Sequence, residues 1–171
     1  MKIVVFFFVA IGTPRPWFWT GFRPWLLDQW AAFGVVGFGL SSLGAFYLLL
    51  AVHELGHLAA GMCVGFRCRS LRVGPLLINR PLRVSLYRGP GALVQDKAEL
   101  IPVATDKLAW RGVAMVLGGP IANTISAVLL LLLPFLRTVF SGLFIAGSVA
   151  NGVSDLLPFE SRLGVSDGRR I

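Results

Sequence analysis

Residues 51 to 61 read AVHELGHLAAG, an H-E-x-x-H pattern made by His53, Glu54 and His57 among apolar neighbours. In a helix, positions i and i+4 share a face, so both imidazoles can reach one metal ion. Glu54 stands beside them, placed to act as general base toward a water at that ion. The bland alternative is three polar residues on a buried helix face. Ionisable groups at bilayer depth cost about 2.5–3.5 kcal/mol each on insertion scales, so three within five residues argue for a function. The chain has two histidines, and both are here.

A catalytic zinc takes three protein ligands and leaves a fourth position for water or substrate. A third histidine does not exist in this chain, and no acid lies between Glu54 and Asp96. Cys63, six residues past His57, falls on nearly the opposite face of the same helix. A third ligand must therefore come from far away. Asp155 and Asp167 are candidates near the C-terminal end; Asp96, Glu99 and Asp106 are candidates in the middle of the chain. Cys63 and Cys68 are not a C-x-x-C pair and suggest no disulfide framework.

The elements that must carry these residues are apolar. Hydrophobic residues make up 56% of the 171 positions, and mean hydropathy is +0.76. That is too apolar for a water-soluble globule of one domain. Segments Gln29 to Val52, Gly112 to Leu136 and Thr138 to Ser154 contain no Lys, Arg, Asp or Glu. About 20 apolar residues cross a bilayer, so the first two qualify and the third is borderline. The formal charge is +8, but the basic residues cluster between apolar segments. Arg67 to Arg111 holds nine Lys/Arg against three Asp/Glu, a net +6, which the positive-inside rule places in the cytoplasm. No basic stripe with interleaved aromatics stands apart from the membrane segments, so nucleic acid is not an expected partner.

From Trp30 to Phe66 there is no Lys, Arg or Pro, a run too long to cross as one helix. Glycines and serines crowd positions 34 to 44, and the break is expected there. Leu82, Val84 and Leu86 alternate with Arg83, Ser85 and Tyr87, and Leu71 and Val73 flank Arg72, the period of half-buried strands. Gly74-Pro75 and Asn79-Arg80-Pro81 mark turns between them. Thr105-Asp106 is expected to cap the next helix. The fold expected is an all-α polytopic membrane protein of roughly three to four spans, with a small β-sheet at the cytoplasmic face. It is one domain, 1–171: an apolar arm and aromatic belt (1–30), the H-E-x-x-H span (43–64), a strand-containing loop (67–111), a second span (112–136) and a last span with its tail (138–168).

With these motifs in order, the chain resembles the site-2 protease family of intramembrane zinc metalloproteases. HELGH at 53–57 resembles that family's first motif, LGGPIAN at 117–123 its glycine-and-asparagine element on the next core helix (here Gly119 and Asn123, four apart), and DLLPFESRLGVSDG at 155–168 its N-x-x-P…D-G element. The resemblance implies zinc bound by His53, His57 and Asp167, with Glu54 and Asn123 catalytic. Asn123 has amide donors suited to an oxyanion or a substrate carbonyl. Asp155 stands where the family usually has Asn, with Asn151 one turn earlier. The implied activity is hydrolysis of peptide bonds within or next to a substrate's transmembrane segment. Its partners would be a membrane-protein substrate and the lipid bilayer, in the plasma (inner) membrane of a prokaryote. The alternative is a catalytically weak or inactive zinc-binding membrane protein with a regulatory role. A metal transporter would need more ligands along a path than two histidines provide.

Overall fold

The computed structural model describes residues 23–89, 92–93, 96–133, 138–157, 160–161 and 164–165. The N-terminal arm through residue 22, residues 134–137 and the Asp167-Gly168 pair lie outside them. Among the described residues are three helices, a four-stranded antiparallel sheet and a separate two-stranded pair.

Helix α1 (Arg23–Cys63) bends at Gly34, where φ is 65° and ψ −179°. A side chain rarely adopts that φ, so the break falls at a glycine. It comes at the first of the clustered glycines and serines, and the rest are helical. Gly44 lets the Phe140 ring approach to 3.3 Å of where a Cβ would stand. Ser42 turns its hydroxyl back onto the Phe38 carbonyl, 2.8 Å, so no polar group is left to the apolar surroundings. The stretch Gly34–Cys63, 30 residues, is long and apolar enough to cross a membrane.

Strands β1 (Phe66–Val73), β2 (Leu76–Asn79) and β3 (Arg83–Leu86) form a meander. Its first turn is at Gly74, with φ 56°. β4 (Asp96–Pro102) pairs with the other side of β1, giving the order β3-β2-β1-β4. β4 is absent from the sequence reading: only Ala98 and Leu100 alternate with charged neighbours, and its identity rests on pairing with β1. Opposite Leu71 stand Ile78 and Ala98; opposite Arg72 stand Leu77 and Lys97. The apolar face turns to the helices, where Val73 meets the helical core and Leu100 touches α1 at Gly61.

Helix α2 (Leu108–Leu131) is the second helix long and apolar enough to cross a membrane. Thr105-Asp106 does not cap it. Its N-cap is Lys107, in the left-handed region, with no side-chain hydrogen bond. Arg111 explains the difference. Its guanidinium donates to the carbonyls of Gly65 (2.8 Å), Ala104 (2.9 Å) and Asp106 (3.1 Å), and its Nε to that of Val64. One side chain thus ties the exit of α1 to the entry of α2.

Helix α3 (Val139–Leu156) opens on a capping box. Thr138 Oγ1 accepts from the Ser141 amide (3.2 Å), and Ser141 Oγ accepts from the Thr138 amide (2.9 Å). At 18 residues it is about 27 Å long, just short of a hydrocarbon core of about 30 Å. Leu157 is extended, as a residue before proline must be. The pair β5 (Glu160–Ser161) and β6 (Gly164–Val165) follows.

The three helices pack on one another. Ala45, Leu49, Leu50 and Phe144 form the buried core between α1 and α3. Between α1 and α2 the contact is backbone on backbone. A Cβ at Gly56 would collide with the Gly118 carbonyl, and a Cβ at Gly118 with the Gly56 carbonyl. Small residues at such a crossing let two helix axes come close.

Candidate metal centre

That close crossing brings His53 and His57 on α1 against α2. Both rings are buried, perpendicular to one another, with their Nε2 atoms 3.0 Å apart. His53, Glu54 and His57 form a group whose ligand atoms all lie within 4.8 Å of each other. Two nitrogens held 2.0–2.1 Å from a tetrahedral zinc would be about 3.3 Å apart, so the observed spacing fits one ion.

The outer nitrogens decide whether that fit is chemical as well as geometric. His57 Nδ1 lies 2.9 Å from the Met115 carbonyl and 3.3 Å from the Gly119 amide. The two contacts demand opposite protonation, because a carbonyl only accepts and an amide N–H only donates. The shorter contact to the carbonyl fixes Nδ1–H and turns the Nε2 lone pair inward, the tautomer a metal ligand needs. The alternative arrangement puts a proton on Nε2.

Gly119 makes room for both rings. A Cβ there would stand 2.5 Å from His57 Nε2 and 2.7 Å from His53 Cε1. The adjacent glycines of LGGPIAN therefore do separate jobs: Gly118 seats α2 on α1, and Gly119 clears the imidazoles. Pro120 lies within α2, and the Thr124 hydroxyl donates to its carbonyl at 2.9 Å.

Asn123, one turn past Gly119, is fully buried, with Nδ2 3.3 Å from His53 Nδ1. α3 closes the other side. Asn151 Nδ2 lies 3.5 Å from the same Nδ1, and Asp155 Oδ2 lies 3.7 Å from His53 Nε2. Asp155 is 2% exposed. Four of the residues singled out in the sequence, His53, Glu54, His57 and Asn123, thus meet in one place. Asp167 lies outside the described residues. Asp155, a candidate third ligand in the sequence, and Asn151, one turn before it, join those four from α3. Their signal was an acid at the end of an apolar helix with an amide four residues earlier, on the same face.

The arrangement defines a class: a buried His-Glu-His centre able to hold a metal, between apolar helices. The family model for peptidase family M50 matches residues 41–159. The chain belongs to that family, the site-2 proteases. No curated protein and no solved structure matches it. The matched stretch contains every residue of the centre just described and stops before Asp167. Family membership suggests a zinc-dependent metalloprotease, and with the two apolar helices it suggests an integral membrane protein.

Proposed function

We propose that this protein is an intramembrane zinc endopeptidase that hydrolyses peptide bonds within or next to transmembrane segments of other proteins. The observation that carries the proposal is the pair of Nε2 atoms 3.0 Å apart, with the Glu54 carboxylate in the same buried group. Zinc, when bound, supplies Lewis acidity toward a peptide carbonyl and makes water more acidic. His53 and His57 hold it. Glu54 takes a proton from water and delivers it to the leaving amine. The Asn123 amide donates to the carbonyl oxygen as negative charge builds there. A substrate helix must unwind locally to react, because its carbonyls are otherwise engaged by helical hydrogen bonds.

Asp167 is the third zinc ligand by its D-G motif. A specific observation favours a second assignment: Asp155, buried with Oδ2 3.7 Å from His53 Nε2, can supply that carboxylate instead. The same residue supports an alternative function. An acid where the family usually has Asn is compatible with a catalytically weak zinc-binding protein that regulates a membrane partner.

The test of catalysis is cleavage of a membrane-protein substrate by purified protein, wild type beside Glu54→Gln. We expect the variant to retain zinc and lose activity by about 10²- to 10⁴-fold, the usual contribution of a general base. Substantial turnover by the variant would remove Glu54 from the mechanism.

The setting proposed is the plasma membrane of a prokaryote, with α3 as a third span and the sheet on the cytoplasmic side. The net +6 of residues 67–111 supports that orientation. A cysteine introduced as Arg88→Cys should resist a membrane-impermeant reagent added outside intact cells. Labelling from outside would reverse the topology.

A further inference from the structure

Resting on the zinc-binding reading but going beyond it, we infer that Asn123 is a positioning residue for His53. Its side-chain oxygen accepts the Nδ1 proton and so holds the Nε2 lone pair toward the metal.

Asn123 is fully buried, and its Oδ1 has no hydrogen-bond partner among the described residues. Its Nδ2 instead lies 3.3 Å from His53 Nδ1. An amide N–H bonds to that nitrogen only if the nitrogen carries no proton. The proton of the neutral ring would then sit on Nε2, where the metal must bind. The oxygen and nitrogen of an asparagine amide are told apart only by their hydrogen bonds. Turning the Asn123 amide by 180° puts Oδ1 at the Nδ1–H, and the position without a partner passes to the NH2. The buried oxygen gains a donor, and Nε2 becomes a ligand.

The result parallels His57, whose Nδ1 faces the Met115 carbonyl at 2.9 Å. Each imidazole then has one acceptor from α2 behind it, and the two Nε2 lone pairs converge on one point. The Asn123 NH2 moves to the position Oδ1 held, still available to a substrate oxygen. The Asn151 NH2 also reaches His53 Nδ1, but at 3.5 Å, the outer limit of a hydrogen bond, and gives up that contact once Nδ1 carries the proton.

The test is zinc and cobalt titration of metal-free protein in detergent, with no substrate present. Asn123→Ala and Asn123→Leu, which cannot accept, should bind metal about 10- to 100-fold more weakly, the usual effect of losing such a partner. Asn123→Asp, which accepts, should bind as tightly as wild type and give the same cobalt absorption spectrum. Nitrogen-15 NMR of histidine-labelled wild type, which needs no variant to fold, should show Nδ1 protonated on both rings in the zinc-loaded protein. Equal affinity in all four proteins would overturn the inference, as would a larger loss in Asn151→Ala than in Asn123→Ala. If Asn123→Ala keeps its affinity and loses only turnover, Asn123 serves the substrate alone. A wild type that binds neither metal would remove the zinc reading itself.

Discussion

The helical core and the sheet treat polar residues in opposite ways. Between the helices, His53, Glu54, His57, Asn123, Asn151 and Asp155 are all buried, and all gather at the centre. In the sheet, the charged pair Arg69–Glu99 is 3.4 Å apart with side chains 66% and 39% exposed, a contact worth little in water. Large apolar residues are exposed in both, on the helices at Val36 and Leu129 and in the sheet at β3, which is exposed at every position, Leu86 included, with Leu82 just before it. The sheet's own cavity, about 250 Å³ and lined by Ser70, Arg72, Asn79, Lys97 and Glu99, shares no residue with the metal centre. The difference separates a buried centre, where polar side chains from three helices converge, from a sheet whose outer strand β3 has one neighbour among the described residues.

The largest effect is expected at the metal. If Asp167 completes the ligand set, Asp167→Ala loses zinc and activity together, because a site reduced to two histidines lacks a first-shell ligand. Asp155→Asn then keeps zinc and can raise activity by restoring the usual family residue. Metal content of the two purified variants decides the matter. Zinc retained in Asp167→Ala and lost in Asp155→Asn would move the third ligand onto α3 and make the described core self-sufficient.

Next comes the space that Gly119 clears. Gly119→Ala puts a methyl 2.5 Å from His57 Nε2, and the rings must shift. Metal affinity should fall on the order of tenfold or more, as it does when ligand orientation is disturbed. Zinc titration beside a thermal melt checks this. An unaltered zinc affinity would mean that the core is softer than its contacts imply.

The smallest effect should come from the sheet. Extended peptides bind by adding a strand to an exposed edge, and a protease needs an extended substrate. Val84→Pro removes an edge donor without touching the core, so cleavage should fall while zinc content stays. Cleavage at the wild-type rate, in this variant and in Ser85→Pro, would confine β3 to a structural role.

Much of this was legible because it is local. Helical period alone puts His53 and His57 on one face, and period-two alternation reveals β1 and β3 before any pairing is known. β4 stayed hidden because a strand with weak alternation is defined by its neighbour, not by itself. The capping expectation at Thr105-Asp106 failed for a similar reason. Asp106 is taken by Arg111, whose other bonds reach back to the end of α1.

The sequence by itself placed His53, Glu54 and His57 together on one helix among apolar segments, and it carried the motifs of the family whose model matches. Only the tertiary structure decided what surrounds His53. Asn123 and Asn151 lie 70 and 98 residues away, and no local rule brings them to one nitrogen. Their meeting depends on two glycines that let α1 and α2 touch and on the angle at which α3 packs across them. Hydrogen-bond chemistry needs positions correct to a few tenths of an ångström. Helix period supplies that accuracy over one turn, and only packing supplies it between helices.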